Sequence, residues 1–324
     1  MEDTLLTAIT LASGFLVIYH HLGYPLILRW ARQWRPGTVI KAPARHYACS
    51  DFDEDLPAIT MVIPAYNEQR WIAHKIRNLA ALDYPANRLR IIIACDGCSD
   101  DTAVLAAQTA NEAECRHLSV EILNFKQNRG KVAIINEVMQ LVETELVALS
   151  DVSALVSIDA LLIAAVHFED HRLGVLNGRY KLLTPGSPGE AAYWRYQSSI
   201  KVSEAALGSV LGAHGAFYLF RRSLFRPLAP DTINDDFILP MEIVAQGFRA
   251  AYEARVNALE LEQANDTMDH LRRRRIAAGN LQQLLRLKRM LLPRYGSVAF
   301  IFASGKGLRV LMPFLMIITP VSYT

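Results

Sequence analysis

The feature that most constrains this chain is a regular alternation through its middle. Ile59–Ile63, Leu89–Cys95, Val120–Asn124 and Glu145–Ser150 are short runs rich in Ile, Val and Leu. Between them Arg70–Ala81, Thr102–Ala113 and Val132–Val142 carry apolar residues at helical spacing, and Ser157–Phe168 comes after the last run in the same way. That order predicts an α/β fold with a mostly parallel, Rossmann-like sheet covered on both faces. Ligands of such sheets bind outside the carboxyl ends of the strands. The loops opening at Pro64, Asp96, Phe125 and Asp151 are therefore expected to converge on one crevice.

The flanks do not fit an ordinary soluble domain. Mean hydropathy is +0.15, and only 20% of residues are charged, against about 25% in soluble domains. From Leu5 to Leu28 no residue is charged, and a spanning helix needs about 20 such residues. A secretory signal would put basic residues first and a small-residue cleavage site after. Here Glu2 and Asp3 come first, and Arg29, Arg32 and Arg35 come after the apolar run. Basic residues on the trailing side place the middle of the chain in the cytoplasm. The expected organisation is a transmembrane helix over residues 1–30, a linker over 31–56 and a cytoplasmic catalytic domain over 57–279, in an inner or plasma membrane.

From Leu271 to Arg294 every charged residue is basic, and Leu281, Leu284, Leu285, Leu287 and Met290 are spaced to give a helix one apolar face. Such a helix suits a membrane surface. Leu311–Val321 is apolar but short. Residues 280–324 are accordingly expected to form an amphipathic interfacial helix and the truncated start of a membrane segment, with a re-entrant segment as the alternative.

Several classes fall away. There is no Gly-x-Gly-x-x-Gly after the first strand and no Gly-x-x-x-x-Gly-Lys-Ser/Thr, so dinucleotide and P-loop sites are not expected. Four cysteines (Cys49, Cys95, Cys98 and Cys115) are too few for a disulfide scaffold. Cys95 and Cys98 lack the second ligand pair that a structural zinc needs. Nucleic acid is not an expected partner, because no aromatics interleave the Arg272–Arg275 run.

Each loop carries polar groups with two readings. Pro64-Ala65-Tyr66-Asn67-Glu68 can hydrogen-bond a base or ribose, or Asn67 and Glu68 can cap the next helix. Asp96 leaves an apolar strand, and Gly97 allows the turn before Ser99, Asp100 and Asp101. Gly130 and Lys131 at a helix start suit an anion. Asp151 is an oxygen donor suited to Mg²⁺ or Mn²⁺ on a diphosphate, while Ser153 equally suits a helix cap. Further on stand Gly212–Phe217, the pair Asp235-Asp236, and Arg272–Gly279.

In this order the four loops closely resemble those of the family 2 glycosyltransferases of the GT-A fold, over roughly Pro57 to Gly279. The resemblance implies that the first loop from Pro64, with Tyr66 and Glu68, and then Asp96, hold the uridine of a nucleotide-sugar. It implies Lys131 near the nucleotide and Asp151 as the leading carboxylate of the metal motif. Ser153 stands where that motif has a second aspartate, which makes it a weaker, neutral metal ligand. Gly212–Phe217 resembles the acceptor-side segment, with His214 and Gly215 its candidates. Asp236 matches the catalytic base, which an inverting transfer needs to take the acceptor's proton, and Asp235 is the neighbour that raises its pKa. Arg273 and Arg275 fall on the two arginines that meet the departing diphosphate, whereas Ile276 replaces the tryptophan of processive synthases.

The function these features imply is inverting transfer from a nucleotide-sugar, with UDP the favoured nucleotide. The cofactor is Mg²⁺ or Mn²⁺, and the acceptor a lipid or glycan at the membrane, with membrane lipids as surroundings. A non-catalytic nucleotide-sugar-binding subunit and a nucleotidyltransferase on a similar sheet are the alternatives.

Overall fold

The computed structural model describes residues 2–34, 41, 45–49, 51–262 and 266–321. It opens with α1 (Glu2–Ile18) and α2 (Tyr24–Trp34), joined by a π-helical turn at Tyr19–Gly23 into one long apolar helix. The central fold then runs β1 (Ile59–Ala65), α3 (Ile72–Ala80), β2 (Leu89–Asp96), α4 (Thr102–Ala110), β3 (Ser119–Phe125), α5 (Lys131–Val138) and β4 (Leu146–Ser150). It continues with β5 (Ala154–Val156), α6 (Ala160–His167), β6 (Leu173–Leu182), α7 (Pro188–Ala206), β7 (Phe217–Arg221), α8 (Asp235–Ala245) and β8 (Arg249–Glu260). Then come α9 (Asp266–Arg286), α10 (Ser297–Ile301) and α11 (Leu308–Val321).

Among the described residues the strands form one eight-stranded sheet, in the order β3-β2-β1-β4-β7-β6-β8-β5. The first four are parallel, with Ile59 of β1 opposite both Leu89 and Leu146. β7 is antiparallel to its neighbours β4 and β6, β8 is parallel to β6, and β5 closes the edge antiparallel to β8. The sheet is thus mixed but mostly parallel.

Period-two alternation explains why these strands read as continuous apolar runs. Ile59, Met61 and Ile63 of β1 pack with Ile91 and Ile93 of β2 against α3, α4 and α6. Val62 and Ile92 turn the other way, toward α5 and α8. A strand buried on both sides has no polar face to show. The four expected strands match to within two residues. The expected helices run long at their C-terminal ends, because turns at Asn111 and Met139 end α4 and α5.

The C-terminal part departs from expectation in two ways. The apolar helix there is not confined to Leu311–Val321. It spans Ser297–Thr319, with a π-helical turn at Phe302–Gly307 carrying it through two glycines. The leucine face read over 281–290 is also divided. α9 stops at Arg286 and a tight turn succeeds it at Lys288–Leu291, so Leu287 and Met290 enter the core while Leu281 and Leu285 stay exposed.

Two helices are therefore long and apolar enough to cross a membrane by length and composition, Thr4–Trp34 and Ser297–Thr319. They pack side by side. Thr319 Oγ1 donates to Ser13 Oγ at 2.9 Å, and the Tyr19 hydroxyl lies 2.8 Å from Ser304 Oγ. Leu11, Phe15, Ile18, Leu22 and Leu26 remain more than 60% exposed.

Ile63 is fully buried in the central strand. Ile63→Ala should destabilise the protein by about 2–5 kcal/mol through lost transfer energy and a cavity, measured as a lowered Tm of the full chain in detergent.

Candidate active site

The carboxyl ends of β1, β2 and β4 present the first, second and fourth loops. The first two are bound to each other. Asn67 Oδ1 accepts the Ser99 N–H at 2.8 Å, and Thr102 Oγ1 accepts the Glu68 N–H at 2.7 Å. Asp96, buried at the end of β2, accepts the Arg129 N–H on Oδ1 at 2.9 Å and the Gly130 N–H on Oδ2 at 2.7 Å. The second loop is thereby tied to the third, ahead of α5. Gly97 makes that approach possible. Its φ is +62°, and a Cβ there would sit 2.3 Å from the Asn128 nitrogen.

The side chains beyond these ties converge on Gly215. Lys131 Nζ lies 2.8 Å from Asp151 Oδ1 and 3.7 Å from Asp235 Oδ2. The Gly215 N–H donates to Asp236 Oδ2 at 3.2 Å. A Cβ on Gly215 would lie 3.3 Å from Asp151 Oδ2, 3.5 Å from Lys131 Nζ and 3.6 Å from Asp236 Oδ2. The third loop, the fourth loop, the glycine segment and the Asp-Asp pair thus share one small space. Asp235 and Asp236 occupy the first turn of α8, where the helix dipole favours negative charge.

Electrostatics reflect this crowding. Burial, then the neighbouring Asp235 charge, push the Asp236 carboxyl up to about 6. Burial alone would lower the Lys131 pKa, but Asp151 and Asp235 outweigh it and raise the ammonium well above its ordinary value. One buried atom of this wall, Asp235 Oδ2, has no hydrogen-bond partner among the described residues. Orphaned polar atoms inside a charged site suit a bound polar ligand.

A cavity of about 920 Å³ opens from this point. Lys131, Asp151, His214, Asp235, Asp236 and Arg275 are in its wall. Tyr66, Glu68 and Asp96 are not. Pro64 belongs to β1, and Tyr66 is 51% exposed. Burial, then Glu262, Asp151 and Glu260, push the Glu68 carboxyl up to about 7. Ser153 is buried beside Glu260, to which its hydroxyl hydrogen-bonds. Arg273 lies on α9, but its side chain is outside the described residues.

His214 stacks on Tyr180, with ring centres 3.8 Å apart, and meets Trp194 edge-on at 5.1 Å. Its Nδ1 accepts the Ala216 N–H at 3.2 Å, which leaves the proton of the neutral ring on Nε2. Trp194 lies in the cavity wall, so an aromatic group comes from α7, whereas the resemblance would have put one at position 276. The sequence motifs passed over α7.

They also passed over Lys75. This fully buried lysine donates to Ser150 Oγ at 2.6 Å and to the Ala154 carbonyl at 2.5 Å, and Ser150 Oγ in turn donates to the Ala216 carbonyl at 2.8 Å. Lys75 therefore braces both ends of the Asp151 turn and the Gly215 segment from behind. Burial drives its ammonium down to about 7 against the pull of Asp151 and Glu260. A signal was present in the sequence, since Lys75 shares the helical stripe of Ile72, Ile76 and Leu79.

Among the described residues no three His, Cys, Asp or Glu side chains group as a metal cage. Mg²⁺ and Mn²⁺ on a diphosphate need only one or two protein carboxylates, the rest being phosphate oxygens and water. Asp151 Oδ2 faces the Gly215 space, and Lys131 occupies only Oδ1. The donor set fits a cation carried by a diphosphate and does not fit a cage made by the protein alone.

Gly215→Ala places a methyl among three charged groups without requiring a left-handed backbone. The expected result is a Tm near that of the parent, with kcat/KM of the reaction catalysed in this cavity reduced about 10²-fold, as for comparable misplacement in other sites.

A family model described as "Glycosyltransferase like family 2" matches residues 57–280. The chain is 28% identical over 217 residues to the beta-monoglucosyldiacylglycerol synthase of Trichormus variabilis, across 63% of this chain and 45% of that protein. It is 27% identical over 208 residues to the poly-beta-1,6-N-acetyl-D-glucosamine synthase of Staphylococcus aureus, across 62% and 49%. The chain spans about half the length of these curated relatives. Among solved structures, the mannosyltransferase PcManGT from Pyrobaculum calidifontis, in complex with GDP-Man and Mn²⁺, superposes with a TM-score of 0.75 at 22% identity, over 98% of this chain and 85% of that one. A fragment of Staphylococcus aureus TarS gives 0.54 at 14% identity, over 79% and 72%. The two structures share the fold, the family model covers well over half of the sequence, and the chain belongs to glycosyltransferase family 2, with its GT-A-like α/β fold.

Proposed function

We propose that this protein is a membrane-embedded, inverting glycosyltransferase whose catalytic domain faces the cytoplasm. It moves a sugar from a nucleoside-diphosphate donor, UDP-linked on the motif reading, to a hydroxyl of a lipid or glycan at the membrane. The observation that carries this reading is the meeting of Lys131, Asp151, Asp235 and Asp236 around Gly215, in a cavity whose far wall is formed by the apolar terminal helices. The names of the curated relatives, one a glycolipid synthase and one a polysaccharide synthase, accord with it.

The chemistry asks each residue for a different service. Asp236 is the base that takes the acceptor's proton as its oxygen attacks the anomeric carbon. Its raised pKa brings it closer to the ideal for proton transfer at neutral pH, and the Gly215 N–H orients Oδ2. The acceptor oxygen gains the bond to the anomeric carbon while the bond to the nucleoside diphosphate breaks. Lys131 and Arg275 provide fixed positive charge for that leaving group. Mg²⁺ or Mn²⁺, held by Asp151, would supply further neutralisation of the diphosphate.

Asp236→Asn should lower kcat by about 10²–10⁴-fold, the usual contribution of a general base, while nucleotide binding persists. Release of nucleoside diphosphate by the full chain in lipid, across UDP- and GDP-sugars, measures this. Undiminished release in Asp236→Asn contradicts the assignment, and release of pyrophosphate points instead to a nucleotidyltransferase. Binding of a donor without turnover of any donor by the parent protein points to a binding subunit. EDTA should abolish release and Mn²⁺ restore it.

The pH profile has a defined sign. Below about 6 Asp236 is protonated and cannot accept a proton, so kcat/KM should fall as pH falls through that range. Asp235→Asn removes the neighbouring negative charge and should move this acid limb to lower pH. An unmoved limb would assign it to another group.

A further inference from the structure

The cavity has a second end. From the carboxylates it runs past α7 to the long apolar helices, where His20, His21, Lys201, Lys306 and Arg309 stand in its wall. Lys306 and Arg309 belong to the apolar Ser297–Thr319 helix, which has no acidic residue. Ionisable groups in such helices are costly and mark ligand sites when nothing in the protein answers their charge.

The protein does little to answer it here. Lys306 Nζ sits 4.3 Å from the centre of the Phe237 ring and makes no ion pair among the described residues. Arg309 reaches the Tyr193 hydroxyl at 3.5 Å. Outside the catalytic group, Glu204 is the carboxylate of this wall. It already accepts from the Tyr24 hydroxyl at 3.0 Å and from the Leu211 N–H at 3.1 Å. Lys201, one turn away on α7, donates to the Leu211 and Gly212 carbonyls, at 3.3 and 3.4 Å, and makes no ion pair among the described residues. Asp236 and Glu204 both act through space on Lys201 and Lys306, but among the described residues neither pairs with them at ion-pair distance, and three cations against these two carboxylates leave this end positive even with both histidines neutral.

The backbone around these groups is unusual as well. The π-helical turns Tyr19–Gly23 and Phe302–Gly307 meet here, and His20 Nδ1 donates to the Ser304 carbonyl at 2.9 Å. π-turns inside α-helices recur at functional sites. These two bring His20 and Lys306 to the cavity. On the outside of the first helix Leu22 and Leu26 are exposed, so a molecule reaching the cations from this side has apolar surface along its remaining length.

We infer that this end of the cavity is a head-group subsite for an acceptor lipid bearing a phosphate, held by Lys306 and Arg309 from the helix and by Lys201 from α7. Its role as an acceptor site rests on the transferase reading above. Charge-assisted contacts to phosphate give the strongest anchoring available to these side chains, and they would set the lipid's reactive oxygen toward Asp236 at the other end. A neutral glycolipid would leave the three cations unanswered.

The test compares two amphiphiles with the same tail, decyl phosphate and decyl alcohol, binding to the full chain in uncharged detergent. The phosphate should bind at least about tenfold more tightly, as charge-assisted hydrogen bonds supply. The double substitution Lys306→Gln with Arg309→Gln should remove that preference. Lys306→Arg with Arg309→Lys should keep it, which separates loss of charge from loss of fold. Equal binding of the two amphiphiles, or a preference that survives the glutamine substitutions, overturns the inference. Inorganic phosphate competing as well as decyl phosphate would also overturn it, in favour of a free-phosphate site. Nucleotide-sugar turnover by the parent protein is measured alongside. Turnover without the preference defeats the lipid subsite alone, and the preference without turnover of any donor defeats the transferase reading alone.

Discussion

One ammonium group holds the site together. Lys131 stands between Asp151 and Asp235, with Asp236 beside Gly215. Three carboxylates gathered in a half-buried wall repel one another, and desolvation adds to that cost. Lys131 offsets part of it, while burial first and then the neighbouring Asp235 charge keep the Asp236 pKa raised. The divalent cation of a metal-bound diphosphate would set further positive charge against these carboxylates.

Sheet topology explains why these residues meet at all. β4 is the last strand of the parallel half, and β7 runs antiparallel beside it, with Ser150 opposite Phe217. The end of β4 and the start of β7 therefore lie at the same edge. Asp151 leaves one strand where Gly215 enters the other, and the Asp151 N–H donates to the Ala216 carbonyl at 3.2 Å. Lys75 and Ser150 brace that junction from below. A continuous parallel sheet would have needed a crossover here and would have moved the glycine segment away from Asp151.

What could be read from the sequence divides along the same line. β1, β2 and β4 were legible because both of their faces are buried, and the loops they end in carry compact motifs. The convergence of Lys131, Asp151 and Asp236 was implied by strand and motif order. β6 and β8 were not legible, since glycines, charged residues and a bulge break their pattern. The His214 stack and the cation cluster at Lys306 join residues far apart in the chain, which no local spacing encodes. The C-terminal helix read as too short because Lys306 and Arg309 interrupt its apolar run, and those are the two residues that the cavity makes interesting. Asp96 shows a further limit. Its place at the strand end was legible, but not that both its oxygens take backbone hydrogen bonds from the third loop.

The most direct test of the central claim is a structure of the full chain in lipid with a UDP- or GDP-sugar and Mn²⁺. The account predicts the diphosphate and cation on the Asp151 side of Gly215, within reach of Lys131, and the anomeric carbon facing Asp236. A donor bound with its diphosphate away from Lys131 and Asp151, or with Asp236 turned from the sugar, would contradict it.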